Sequence, residues 1–149
     1  MKVVVFGVFD LFHPGHEYFL KQALEYASGD LHNIHVVLTT TEIVQKLKNK
    51  TPRDTYSARK SNLVNWGISE SNIYESDSEL GTYTVFQHIN PDVVCFGYDQ
   101  QGLQWDLTTR IQAGTVKVNP EIKLVVIAAF CADVYKTSIL MGRRPSEAL

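Results

Sequence analysis

Two histidines, His13 and His16, flank Pro14-Gly15 in the stretch VVVFGVFDLFHPGHEYFL, Val3 to Leu20. The apolar run before them reads as a buried strand and the pattern after them as a helix, so both imidazoles stand at a strand-to-helix turn. Gly7 permits close approach to the backbone, and Pro14-Gly15 makes a tight helix entry. Free N–H groups and the positive end of the helix dipole point into the same space, which suits phosphate. Two imidazoles there donate hydrogen bonds to phosphate oxygens, and do more as charge builds in a transition state. The spacing H-x-G-H puts one histidine on the loop and the other on the helix, converging on one site. The competing reading, local capping or packing, suits a single loop histidine better than two around Pro-Gly. Asp10 beside this loop either orients a histidine, helps hold a Mg2+-bound water, or caps the turn.

Further along, three lysines alternate in QKLKNK, Lys46, Lys48 and Lys50. A lysine run is usually a solvated face, yet a lysine is also a mobile point charge suited to phosphate. In GYDQ, Gly97 opens space, the Tyr98 ring packs on a flat group, and Asp99 accepts from a ligand or structures the loop, with Gln100 closing the motif. Trp105 either stacks a ring or packs as an ordinary helix residue. Thr137 and Ser138 open a last helix, where hydroxyls and free N–H groups form a second anion site or a plain N-cap. No His/Cys cluster has zinc spacing.

The elements that must position these residues alternate. Strands are expected at Val3–Phe6, Ile34–Leu38, Asn72–Tyr74, Asp92–Phe96 and Lys123–Ala128. Helices are expected at Gly15–Tyr26, Thr82–Ile89 and Leu103–Ala113, from Thr55 as cap to Trp66 with Gly67 as stop, and from Thr137 toward Arg144. This alternation implies right-handed crossovers and an α/β, Rossmann-like doubly wound parallel sheet of about five strands with helices on both faces. Ligands then bind beyond the carboxyl ends of the strands, at the switch in strand order. The loops Gly7–His16, Thr39–Arg53, Gly97–Gln101 and Phe130–Ser138 should therefore carry the chemistry.

Composition and charge bound the class. The 149 residues, 44% hydrophobic and 20% charged, fit one domain over 1–149 with a sizeable core. A formal net charge of −2 provides no field for nucleic acid or an anionic membrane. No apolar run approaches a membrane span, and Met1-Lys2 leads straight into a strand, so a cytoplasmic location is expected. Cys95 and Cys131 read as buried reduced thiols.

GVFDLFHPGH resembles the H-x-G-H nucleotidyltransferases, in particular the cytidylyltransferase-like family that includes archaeal-type FAD synthase and glycerol-3-phosphate cytidylyltransferase. The likeness runs in order through TTTEIVQKLKNK, an arginine at YSARK, NPDVVCFGYDQ and YKTS. It implies that an acceptor phosphate attacks the α-phosphorus of a nucleoside triphosphate in line and that pyrophosphate leaves. Alignment and charge neutralisation are then most of the protein's task. It implies His13, His16 and Lys46 as the catalytic set, with Lys46 ahead of Lys48 and Lys50 left on the surface. Gly7, Val8, Phe9, Asp10, Gly15, Gly97, Tyr98, Asp99, Gln100, Thr137 and Ser138 would border the nucleotide. Lys48 and Arg59 would hold the acceptor phosphate, Arg59 with its planar fork; the bland reading of Arg59 is a helix-surface ion pair. The acceptor pocket is expected between the Lys46-to-Arg53 loop and the side chains around Phe9 and Phe12. Mg2+ would arrive with the triphosphate and need few protein ligands. GYDQ and HPGH lean toward ATP and an acceptor such as FMN. CTP with glycerol 3-phosphate is the alternative, weakened because VYKTS lacks the arginine that precedes the cytidylyltransferase hydroxyls. A third reading is a nucleotide-binding domain without turnover. The family also makes a homodimer an expectation.

Overall fold

The computed structural model describes residues 1–128. The strands are β1 (Val3–Gly7), β2 (Ile34–Leu38), β3 (Ile73–Glu75), β4 (Val93–Gly97) and β5 (Lys123–Ile127). The helices are α1 (Pro14–Tyr26), α2 (Thr41–Lys48), α3 (Tyr56–Trp66), α4 (Val85–His88) and α5 (Gln101–Ala113). All strands pair in parallel in the order β3-β2-β1-β4-β5. The chain therefore winds outward from β1 in one direction, then returns to start the other half at β4. This places the switch point between β1 and β4.

Continuous apolar runs make β1, β2 and β4 central strands, since each must fill both faces of the sheet. On one face Val3, Val5, Ile34, Val36, Leu38 and Cys95 pack with Leu20 and Ala23 of α1 and Leu63 of α3. On the other, Val4, Val37, Val94 and Phe96 meet Val85 of α4 and Leu107 of α5. The helices thus cover both faces, as the alternation implied. Burial pushes the Cys95 thiol up to about 12, so it is an inert core residue.

Local signals account for several boundaries. Thr55 caps α3 by accepting from Ala58 N–H at 3.1 Å, and Gly67 ends it with φ 135°. The expected Thr82–Ile89 helix shortens to Val85–His88, because Thr84 N–H and the Thr82 hydroxyl are taken by the Asp77 carboxylate. The region after β2 departs more. Instead of a loop from Thr39 to Arg53 it contains α2, capped by the Thr40 hydroxyl and closed by Asn49 in the left-handed conformation. The final helix, the YKTS stretch, Cys131, Thr137 and Ser138 lie outside the described residues.

Candidate active site

A cleft of about 1220 Å3 runs along the carboxyl ends of the strands. From the first loop Gly7, Val8, Phe9, Asp10, His13, Gly15 and His16 line it, and from the loop after β4 Gly97, Tyr98, Asp99 and Gln100. Thus most of the residues expected near a nucleotide line one cleft.

The first loop is held under strain. Phe9 and Leu11 have φ of 50° and 48°, a region that non-glycine residues rarely adopt. Three clasps hold the strained loop. The Asp10 carboxylate accepts from Arg53 and Asp54 N–H, both at 2.8 Å. Asp54 returns the bond by accepting from Leu11 N–H at 3.2 Å. Partial burial alone would raise the Asp10 carboxyl, but these N–H donors and the charge of Arg59 hold it below its usual range. Asp10 thus clasps the turn while lining the cleft.

Gly7 admits the protein's own side chain: a Cβ there would sit 2.6 Å from the Phe9 ring. Phe9 is only 4% exposed and meets His16 edge-on at 5.4 Å, while Phe12 stacks on the same imidazole at 5.5 Å. Phe9 and Phe12 therefore brace His16; Phe9 also lines the cleft, and Phe12 does not.

His13 is the N-cap of α1, its Nδ1 accepting from Gly15 N–H at 3.0 Å. His16 reciprocates, its Nδ1 accepting from His13 N–H at 3.2 Å. A backbone N–H can only donate, so each Nδ1 is the bare nitrogen and each Nε2 carries the proton. The two rings stack at 3.9 Å between centroids. Burial of the His16 ring, reinforced by His13 and opposed by Asp10 and Asp99, pushes its imidazole down to about 4. It is therefore neutral near pH 7, a donor through Nε2. Local capping, posed in the sequence as the alternative to convergence on a site, does not remove the rings from the cleft: Nδ1 serves the helix, and both histidines line the cleft.

Arg59 departs from its expected place. Arg59 is fully buried and lies apart from the cleft lining. It donates to Val8 C=O at 3.0 Å, Thr39 C=O at 2.7 Å, Asp54 C=O at 3.3 Å and Thr41 Oγ1 at 3.4 Å. Tyr56 covers the guanidinium at 5.5 Å. Its fork is spent joining the loops after β1 and β2 to the start of α3, so it neither reaches a ligand phosphate nor makes a surface ion pair.

The lysines also sit differently from expectation. Lys48 and Lys50 line the cleft and Lys46 does not. At about 100° per residue, Lys46 lies roughly 130° around α2 from the middle of the face formed by Ile43, Val44, Leu47 and Lys48. Gln100 lines the cleft as expected, but its side chain is engaged. Its Oε1 accepts from Gly97 N–H at 2.8 Å and its Nε2 donates to Phe6 C=O at 2.9 Å, so its amide is committed to backbone. Trp105, 71% exposed, is outside the cleft lining and takes neither expected role.

A further wall escaped the sequence reading. After β3, residues Ser76 to Val85 border the cleft, with Asp106 and Arg110 of α5 behind them. The Tyr83 hydroxyl donates to Asp106 at 2.7 Å, Arg110 Nε donates to the same carboxylate at 3.0 Å, and the Arg110 guanidinium lies over Gly81, where a Cβ would collide with it. The rule that strand carboxyl ends carry sites would have pointed to this loop had it been applied to the short third strand. Among the described residues no group of three or more His, Cys, Asp or Glu could hold a metal ion, and no helix is long and apolar enough to cross a membrane.

Comparison with known proteins adds an independent line. The family model described as cytidylyltransferase-like matches residues 4–142. The chain is 29% identical over 143 residues to an FAD synthase of Methanosarcina barkeri, covering 91% of this chain and 96% of that protein. It is 30% identical over 143 residues to an FAD synthase of Pyrococcus horikoshii, covering 96% and 91%. Among solved structures, a lipopolysaccharide core biosynthesis protein from Thermoplasma volcanium superposes with a TM-score of 0.67 at 22% identity, covering 87% of this chain and 98% of that one; this likeness bears on fold alone.

Proposed function

The chain belongs to the cytidylyltransferase-like family, and we propose that it is an adenylyltransferase joining the AMP moiety of ATP to FMN, an FAD synthase. A phosphate oxygen of FMN attacks the α-phosphorus of ATP. The new P–O–P bridge forms as the bond from the α-phosphorus to the departing pyrophosphate breaks, so no reductant or covalent enzyme intermediate is needed.

The observation that carries the reading is the reciprocal capping of His13 and His16, which fixes two Nε2–H donors at a helix N-terminus beside the switch point. Neutral donors of fixed direction suit a phosphorus centre gathering charge, because they need no reorganisation as it reacts. Lys48 and Lys50, rather than Lys46, supply mobile charge along the same cleft. A cleft of about 1220 Å3 exceeds the usual size for one small ligand, as a two-substrate reaction requires. The choice of ATP and FMN rests on the FAD synthase relatives, which align over nearly the whole chain.

Mg2+ enters with the triphosphate. The metal would keep most of its waters, and the cleft wall offers those waters single carboxylates such as Asp99.

The deciding assay is pyrophosphate release with ATP or CTP against FMN or glycerol 3-phosphate. Release with ATP and FMN, and FAD as product, is the expected result. Turnover with CTP and glycerol 3-phosphate instead would replace the reading with cytidylyl transfer. No release in any combination, with nucleotide binding intact, would leave a binding domain.

A further inference from the structure

The sheet splits in one place. β1 and β4 pair through Val3↔Val93, Val4↔Val94 and Val5↔Cys95, and then stop. Both strands nevertheless continue on their outer sides, β1 with β2 to Gly7↔Leu38 and β4 with β5 to Gly97↔Ile127. Had the inner ladder continued in register, Phe6 would face Phe96 and Gly97 N–H would donate to Phe6 C=O. These are the two groups that Gln100 occupies: Gly97 N–H donates to its Oε1 at 2.8 Å and its Nε2 donates to Phe6 C=O at 2.9 Å. The side-chain amide has been inserted into the next ladder bond like an extra peptide unit.

We propose that Gln100 is a wedge, a positioning residue whose amide holds β1 and β4 apart at the switch point and thereby sets the opening of the cleft between the histidine loop and Asp99. This goes beyond nucleotide contact, and its kinetic part rests on the proposed nucleotidyl transfer. The wedge needs both ends of a neutral amide, since one strand offers a donor and the other an acceptor. Gly97 also leaves room for Asp99, since a Cβ there would lie 3.0 Å from Asp99 Oδ1. The split matters for chemistry because each strand carries one wall: β1 leads to His13 and His16, and β4 to Tyr98 and Asp99. Asp99 is near enough to act on the His16 imidazole. Closing the ladder by one bond would draw those walls together and narrow the space for the phosphates.

The test uses Gln100→Glu and Gln100→Ala in the full chain. A glutamate carboxylate accepts from Gly97 N–H but turns an acceptor toward Phe6 C=O; once protonated, it supplies both the acceptor and the donor. The FAD-forming kcat of Gln100→Glu, divided by that of the wild type, should therefore rise about tenfold or more as pH falls from about 8 to about 5.5. A ratio that stays flat overturns the proposal, because a role in packing alone gives no such recovery.

NMR decides the geometry independently of turnover. In the wild type, a coupling across the hydrogen bond from Gly97 N–H should lead to the side-chain carbonyl of Gln100. In Gln100→Ala it should lead directly to Phe6 C=O, and ATP affinity should weaken about tenfold as the cleft narrows. A direct Gly97-to-Phe6 coupling already present in the wild type, or unchanged ATP affinity in a re-zipped Gln100→Ala, overturns the wedge. If wild-type protein makes no FAD, the proposed function fails alone; the couplings and the ATP affinity still decide the wedge.

Discussion

His16 Nδ1 accepts the backbone N–H of His13 at 3.2 Å, while His13 Nδ1 accepts from Gly15 at 3.0 Å. Each ring is therefore a cap through one nitrogen and a donor through the other. His16→Asn retains an oxygen able to accept from His13 N–H but loses the Nε2–H donor. Steady-state kinetics should show kcat reduced about 100-fold or more, with ATP affinity within a few-fold of wild type. Equal losses in binding and rate would mean that the ring acts in ground-state positioning.

The burial of His16 has a consequence for stability. Its folded value near 4 lies below the ordinary 6.5 of an unfolded chain. Between these limits the unfolded state binds more protons, so the stability contribution is complete above about pH 6.5 and falls away as pH drops toward about 4. Urea unfolding from pH 7.5 to 4.5 should show a loss roughly 1–2 kcal/mol smaller in His16→Asn than in the wild type, after allowing for solvent screening.

Arg59 serves backbone carbonyls, and its removal should appear first as lost stability. Arg59→Ala leaves Val8 and Thr39 C=O buried without their donor. The expected cost is about 2–4 kcal/mol in denaturant unfolding, and Arg59→Lys should recover little of it because an ammonium cannot span the same acceptors. A surface-like loss below about 0.5 kcal/mol would contradict the buried-keystone description.

The lysines divide by helix face. Lys48→Ala should lower kcat/KM about tenfold or more, while Lys46→Ala should stay within about twofold. Measured side by side with ATP and FMN, the reverse order would place the phosphate contact on the opposite face of α2.

Gly7 gives a packing test. Gly7→Ala would put a Cβ within 2.6 Å of the Phe9 ring, which already holds a φ of 50°. A loss of about 1–3 kcal/mol is expected in thermal or denaturant unfolding, with a lower kcat because Phe9 braces His16.

Much of the frame was legible before folding. The apolar runs at Val3, Ile34 and Val93 announced strands buried on both faces, and Thr55 and Gly67 bracketed α3 where it lies. α2 was missed because alternating lysines read as a solvated loop, although Thr40 and the Ile43, Val44 and Leu47 spacing were a helix signal. That omission also misplaced Lys46, since a loop imposes no face and a helix does.

What the sequence determined by itself is local chemistry and order. H-x-G-H could be placed at a strand-to-helix turn, because hydrophobic period and turn residues act within a few positions. Tertiary structure decided which of the neighbouring polar groups are free to use. Arg59 finds its carbonyl partners at Val8 and Thr39, and Gln100 finds Phe6, 94 residues away in the chain. A buried donor must be satisfied wherever folding brings an acceptor, and that accounting closes only when distant strands meet.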